Sequence, residues 1–116
     1  MTNKVNKYWG HEIPWADTKN YRAKILHLNR GKNTARQLHE LKDKTIYVLQ
    51  GLLILELGID ETKNDKAKET KVLETNESYR IKPKTVHRFV APREGFVRLM
   101  VVSTPEENDS VILQNL

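Results

Sequence analysis

Short apolar runs broken by turn signals constrain the fold of this 116-residue chain more than any other feature. Within the runs, β-branched and aromatic residues alternate with polar residues or cluster, as is typical of strands. No segment carries an apolar stripe with a helical period over about ten residues. The predicted strands lie at Tyr21–Leu28, Thr34–Glu40, Thr45–Gln50, Leu52–Leu57, Val86–Ala91 and Phe96–Thr104, with two more inside Lys71–Ile81. About eight strands with regularly spaced turns indicate an all-β sandwich or barrel, formed by a single domain over residues 1–116.

Two segments between the apolar runs carry different expectations. The charged stretch that follows Leu57 is expected to form a long hairpin loop, because it mixes lysines and acids without an apolar pattern. The segment Thr104–Asp109 is expected to form a short helical turn, since Thr104 can cap it and Pro105 suits its first position.

Charge and composition exclude several classes of function. The net charge is +5, but the lysines are spread along the chain and no aromatic residues are interleaved with them, so we expect no nucleic-acid partner. No apolar run approaches the roughly 20 residues of a membrane span, and the N-terminus lacks a signal-peptide pattern. We therefore expect a cytoplasmic protein without a membrane partner. The absence of cysteine excludes disulfides and thiolate chemistry.

Gln37 and His39 are the first candidate site residues. Side chains alternate across a strand, so two residues that are two positions apart point to the same face. If that face is inward, the pair offers an amide oxygen and an imidazole nitrogen to one spot. His87, which follows a proline-containing turn in a later strand, is a candidate third group. A histidine alone is more often an ordinary hydrogen-bonded residue than a ligand, so the three do not by themselves define a site.

The spacing around these residues resembles the first motif of the cupin superfamily, over residues 31–51. That motif runs Gly, five residues, His, one residue, His, three or four residues, Glu, six residues, Gly. The matching positions here are Gly31, Gln37, His39, Lys44 and Gly51. Residues 76–91 resemble a degraded form of the second motif, which ends in this chain with His87.

One cupin subgroup also has glutamine at the position of Gln37. It contains the cupin domains of type II mannose-6-phosphate isomerases and mannose-1-phosphate guanylyltransferases. The chain is similar to this subgroup in Trp9 and Gly10, in "YRIKPKTVHRFVAP" and in "VSTPEENDSVIL". The resemblance implies a single-domain jelly-roll barrel, also called a double-stranded β-helix, that binds a small carbohydrate or isomerises a sugar phosphate.

The resemblance further implies a divalent metal ion inside the barrel, either Mn, Fe, Zn, Ni or Co, with Gln37, His39 and His87 as ligands. The main departure is Lys44, which stands where the motif has its carboxylate. At about 4 Å and an effective dielectric near 20, one pair of unit charges is worth roughly 4 kcal/mol, and an ammonium reverses the sign of that contribution. A metal site therefore requires Lys44 to swing out or to be neutral, or requires Asp43 or Glu40 to supply the carboxylate.

An alternative interpretation makes Lys44 itself the cation of the site. The barrel is then a metal-free, non-catalytic binding module in which Lys44 holds a small anionic ligand. Lys44 can also serve in catalysis, as a general base or a Schiff-base amine. A third interpretation, an oxygenase whose metal has only neutral ligands, is disfavoured by Gln37 in place of a histidine.

Residues at the barrel mouth complete the predictions. Together with Lys44, Tyr47 and Arg98 are candidate ligand-binding residues. Other strand cations expected to line the mouth are Arg22, Lys24 and Arg80, while Arg88 should face away because its side chain is opposite to that of His87. Trp9 and Trp15 are expected to serve packing or a dimer contact. We expect a homodimer, because pairing covers exposed sheet edges.

Overall fold

The computed structural model describes residues 3–64, 66–107 and 109–114. In this part of the chain, the structure consists of strands joined by turns and one short 3₁₀ segment, Glu61–Lys63. The strands are β1 (Val5–Lys7), β2 (Gly10–Asp17), β3 (Arg22–Leu28), β4 (Arg36–His39), β5 (Lys44–Gln50), β6 (Leu53–Leu57), β7 (Glu69–Leu73), β8 (Ser78–Ile81), β9 (His87–Val90), β10 (Val97–Ser103) and β11 (Ser110–Gln114).

Two antiparallel sheets face each other across one core. The first has the strand order β1-β2-β3-β10-β5-β8, and the second has the order β11-β4-β9-β6-β7. Strands that are distant in sequence are neighbours in both sheets, as in a jelly roll. The all-β, double-stranded β-helix prediction is therefore confirmed. No helix in the described ranges is long and apolar enough to cross a membrane.

The core follows from the two-residue period of the strands. In β6, Leu53, Leu55 and Leu57 are buried, while the residues between them are only partly covered. Val48 of β5 and Leu99 of β10 face them from the other sheet and are fully buried. Full burial of one such side chain contributes about 1.5–3 kcal/mol to folding, so this apolar layer is the main source of stability.

Two glycines of the predicted motifs are required by close backbone contacts. Gly51 has a φ of 88°, and a Cβ atom placed there would lie 2.5 Å from the carbonyl oxygen of Phe96. A Cβ atom on Gly10 would lie 1.9 Å from the carbonyl oxygen of His27. Neither position accepts a side chain without movement of the backbone, so both positions require glycine.

The predicted strands and the long loop after Leu57 are confirmed, but the two ends of the chain were incompletely predicted. Strand β2 was missed because Pro14 and several polar residues obscure its pattern; a register irregularity follows Pro14, where a proline is tolerated. The predicted helical turn at Thr104–Asp109 is wrong over its described residues. There the Thr104 hydroxyl bonds to Glu106 and accepts from the backbone of Asp43, which ties the segment to the barrel.

Candidate functional site

The structure brings Gln37, His39 and His87 together inside the barrel. Gln37 of β4 and His87 of β9 are directly paired across the two strands, so their side chains share a face. The ring centroids of His39 and His87 are 5.7 Å apart. Gln37 and His39 line a cavity of about 330 Å³ that opens at one end of the barrel. His87 lies beneath it and is only 1% exposed.

Lys44 also points into the barrel. It is the first residue of β5 and has the same parity as the buried Ile46 and Val48. Its side chain is 7% exposed, its Nζ lies 3.4 Å from Nε2 of His87, and it stands 5.9 Å from the ring centroid of Phe89. Lys44 therefore does not swing out to solvent. Its amine occupies the space beside His87, at the centre of the predicted site.

The hydrogen bonds of His87 fix its tautomer. Nδ1 lies 2.9 Å from the carbonyl oxygen of Thr85 and must donate a proton to it. Nε2 therefore carries a lone pair and accepts from the Lys44 amine. The hydrogen bonds from His87 to Thr85 and from Lys44 to His87 thus fix the position of the Lys44 amine.

His39 is held less completely. Its Nδ1 lies 3.1 Å from the Ser110 hydroxyl. Its Nε2 is buried and has no hydrogen-bond partner among the described residues. An unpaired buried nitrogen costs stability, and such exceptions call for an explanation, for example a missing ligand atom.

Burial makes the two imidazoles neutral. Burial, followed by the charge of Lys44, lowers the pKa of His39 to about 4 and that of His87 to about 3. Burial also lowers the pKa of Lys44 to about 7, and the positive charges of Lys24 and Lys42 act in the same direction. The positive charge of the site at neutral pH therefore comes from lysines rather than histidines.

Besides the predicted Lys24, the cavity walls contain two charged residues that were not predicted, Glu12 and Lys42. Glu12 of β2 pairs with Nζ of Lys24 of β3 at 3.2 Å. Lys42, in the turn between β4 and β5, lines the same cavity, and burial and neighbouring cations lower its pKa. Lys24 has the same parity as the buried Leu26 and Leu28 and therefore points inward, whereas Lys42 lies in a turn where strand alternation does not apply.

A smaller recess of about 210 Å³ adjoins the cavity. Glu12, Lys24 and Lys42 line both spaces, and Arg22 lines the recess. Of Arg22 and Lys24, both predicted at the mouth, Lys24 therefore lines the cavity, whereas Arg22 lines only the adjoining recess. Arg22 is already engaged in ion pairs with Asp17 and Glu107, so it is less available to a ligand.

Several other predicted site residues lie outside the barrel. The Tyr47 hydroxyl donates to Asn76, and Arg98 bonds to His27 at 3.2 Å; neither lines the cavity. The assignment of these two residues to ligand binding is therefore wrong. The cause is the alternation of side chains along a strand. Tyr47 is next to the buried Val48 and Arg98 is next to the buried Leu99, so both side chains point away from the core.

The proposed substitute carboxylates do not reach the site either. Asp43 points to the outer surface, where Arg80 contacts both of its oxygens, at 3.1 and 2.6 Å. Arg80 is therefore not at the mouth, contrary to the prediction. Glu40 is exposed in the turn after β4. Arg88 faces away from His87 as predicted and pairs with Glu56 at 2.7 Å.

The tryptophans serve packing. Trp9 is buried in the core and borders the cavity, whereas Trp15 lies on the outer face of the first sheet with its Nε1 directed at the Met100 sulfur, 3.1 Å away.

The residues present do not fit a divalent cation. The described residues contain no group of three histidine, cysteine, aspartate or glutamate side chains placed to hold one. The nearest neighbour of the His87 lone pair is an amine that carries positive charge in its protonated form. A divalent ion at that position would meet repulsion instead of the attraction that a carboxylate supplies.

Comparisons with known proteins identify the fold. No family model and no curated protein matches the chain. A Klebsiella pneumoniae protein with a double-stranded β-helix domain is similar, with a TM-score of 0.75 and 15% identity over 90% of this chain and 84% of that one. A Streptomyces PAC13 variant solved with uridine has a TM-score of 0.78 and 14% identity, covering 99% of this chain and 86% of that one.

The capsular polysaccharide assembling protein CapF of Staphylococcus aureus has a TM-score of 0.82 and 12% identity, covering 98% of this chain and 34% of that one. At these identities the likeness shows the fold alone. The chain is a single small domain with the cupin fold.

Proposed function

We propose that this cupin binds a small anionic carbohydrate, such as a sugar acid or sugar phosphate, in its barrel. The observation that carries the proposal is the charge of the cavity wall, which contains four lysines and one carboxylate. The lysines are the exposed Lys7 together with Lys24, Lys42 and Lys44, and the carboxylate belongs to Glu12. Because Glu12 is paired with Lys24, the excess positive charge inside the cavity lies on Lys42 and Lys44.

The excess positive charge is costly because the two lysines that carry it are removed from water. Among the described residues, neither Lys42 nor Lys44 has a carboxylate within ion-pair distance, although both are partly or fully buried. Burying an unpaired ammonium is expensive, and a bound anion would supply the missing counter-charge. A low-dielectric cleft with charge of one sign also concentrates ligands of the opposite sign.

The carbohydrate part of the proposal is supported by the neutral groups of the cavity. Gln37, Ser103 and Ser110 offer hydrogen-bonding groups for hydroxyls, and Trp9 offers an apolar surface. A volume of about 330 Å³ is within the range of small-molecule sites. The structural neighbours include a capsular polysaccharide assembling protein and a protein solved with uridine, which supports a ligand that contains a sugar.

Matched ligand pairs test the proposal. Mannose 6-phosphate is compared with mannose, and galacturonate with galactose, by isothermal titration calorimetry. We expect the anionic member of at least one pair to bind more tightly, and its affinity to fall in Lys42→Met and Lys44→Met. The exposed Lys84, which lies outside the cavity wall, supplies the control variant Lys84→Met. Equal binding of charged and neutral sugars would refute the anionic part.

A metal-dependent sugar-phosphate isomerase is the second candidate. Nε2 of His39, which has no partner among the described residues, favours it as one potential imidazole ligand, whereas Nε2 of His87 becomes free for a metal only when the Lys44 amine moves away. Elemental analysis of protein purified without a His-tag, with His87→Ala as the negative control, measures metal content. Stoichiometric metal that is lost in this variant supports the isomerase. Metal bound only after Lys44→Glu supports the lysine-based site.

A further inference from the structure

Lys44 differs from the other lysines that line the cavity, among them the exposed Lys7, in its burial and in its hydrogen bonding. Lys24 is 41% exposed and paired with Glu12, and Lys42 is half-buried in a turn. Lys44 is enclosed, with its single described acceptor, Nε2 of His87, on one side and the cavity on another. Its amine is thus held in place at the inner end of a ligand-sized space.

We propose that Lys44 is a nucleophilic amine that forms a reversible imine with an anionic aldehyde or ketone. This inference rests on the proposed function, since it specifies the anionic ligand as a carbonyl compound. Lys44 is 7% exposed, whereas Lys42 is half-buried and Lys24 is 41% exposed, so the carbonyl group would meet the most deeply buried amine and the anionic group would remain beside the two more exposed ones.

The reaction needs no oxidant or reductant. The Nζ lone pair forms a bond to the carbonyl carbon, the carbonyl π pair moves to oxygen, and a proton passes from nitrogen to that oxygen to give a carbinolamine. The carbinolamine C–O bond then breaks, the hydroxyl leaves with a second nitrogen-bound proton as water, and the nitrogen lone pair forms the C=N bond. In total, a neutral amine and a carbonyl compound yield an imine and one water molecule.

The two histidines have separate roles in this step. His87 is a positioning residue, because its Nε2 accepts an N–H of Lys44 and leaves the nitrogen lone pair free to face another direction. Thr85 holds His87 in the tautomer that allows this. When the Ser110 hydroxyl donates to Nδ1 of His39, Nε2 of His39 carries a proton without an acceptor. That N–H would donate to the carbonyl oxygen and help the hydroxyl to leave.

Reductive trapping tests the inference on the full chain. Glyoxylate, a small anionic aldehyde, is incubated with the protein and sodium cyanoborohydride, which reduces an imine to a stable secondary amine. Peptide mapping by mass spectrometry then locates the carboxymethyl group. We expect Lys44 to be the principal labelled lysine and its label to be lost in Lys44→Met, with folding of the variant checked by circular dichroism. Propionaldehyde serves as the neutral probe.

Each outcome decides a separate point. Lys44 labelling by glyoxylate that falls in Lys42→Met, while propionaldehyde labelling is retained, supports the full inference. Label confined to exposed lysines and the N-terminus overturns it, and tighter binding of the sugar anions would then leave the proposed function intact. Equal labelling of Lys44 by both aldehydes supports the nucleophilic amine but overturns the anionic class of its substrate.

Discussion

Two groups of charged side chains lie against opposite faces of the second sheet, one on its outer surface and one between the sheets, where Lys44 projects from the first sheet, and their balance of charge differs. His87 and Arg88 are consecutive in β9, so one points into the barrel and the other outward. On the outer face, Glu56 lies between two guanidinium groups, 2.7 Å from Arg88 and 3.5 Å from Arg36. On the inner face, Lys44 has only the neutral His87 as its hydrogen-bond partner among the described residues.

We infer that the outer charges stabilise the fold, whereas the inner charges serve to bind a ligand. The outer group has an acid placed between its arginines, which is how a protein normally tolerates charges of low exposure. The inner group has amines in excess and an imidazole nitrogen without a partner. Replacing a member of the first group should therefore reduce stability, whereas replacing Lys44 should increase stability and remove function.

The largest expected effect is on the outer face. Glu56→Gln keeps the shape of the side chain but removes the negative charge between Arg36 and Arg88. Since Arg36 is only 5% exposed, we expect the free energy of unfolding to fall by about 3 kcal/mol. Urea denaturation measures the change. Wild-type stability in this variant would show that the outer charges are not structurally coupled, and the contrast between the two faces would fail.

On the inner face, Lys44→Met is expected to stabilise the protein by about 2–3 kcal/mol at pH 7. The substitution replaces a buried amine that has no carboxylate partner with an apolar side chain of similar length. The same urea titration measures it, and calorimetry should show loss of anion binding. A destabilised variant would indicate that Lys44 is a satisfied structural residue.

The pH dependence of stability should report the titration of the Lys44 amine. The pKa of Lys44 is near 7 in the folded protein and 10.5 for the free side chain, so the unfolded chain binds more protons between these values. Unfolding free energy should therefore rise with pH above neutrality, by about 2 kcal/mol between pH 7 and 9. Denaturant titrations at each pH give the slope, which should be absent in Lys44→Met.

On the acid side, the lowered pKa values of His39 and His87 act in the same direction, so that stability again increases with pH. Both imidazoles bind protons more readily in the unfolded chain, so stability should fall as the pH drops from about 6.5 towards 4. The fall should be shallower in Lys44→Met, because the charge of Lys44 is one cause of both shifts. An equally steep fall would mean that burial alone sets them.

The smallest effect is expected at Asp43 and Arg80. This ion pair is on the surface, so Asp43→Asn should leave the free energy of unfolding nearly unchanged in the same urea titration. It should also leave anion binding unchanged, since Asp43 points away from the cavity. Impaired ligand or metal binding in this variant would restore Asp43 as a member of the site.

The fold and the central residues could be predicted from the sequence because both depend on regular spacing. Strand alternation places Gln37 and His39 on one face, and the motif spacing places Lys44 and His87 near them. Asp43 could not be placed in this way, because it lies in a turn and its direction is set by the ion pair with Arg80, a residue that is distant in sequence.

The charged cavity wall was hidden for a related reason. Glu12 belongs to β2, a strand interrupted by Pro14, and Lys42 belongs to a turn. Their approach to Lys44 depends on how the sheets close, which no local pattern encodes. Tyr47 and Arg98 show the converse error, in which residues near the correct strands were assigned to the site without applying parity.

The most direct test of the account is the titration of the Lys44 side chain by nuclear magnetic resonance, followed through its Cε and Nζ shifts. We expect Lys44 to titrate with a midpoint near pH 7 in the free protein, because its amine is buried and has no carboxylate partner among the described residues. An anionic ligand should move this midpoint upward. A midpoint near 10.5 that does not respond to anions would contradict a buried lysine amine as the centre of the site.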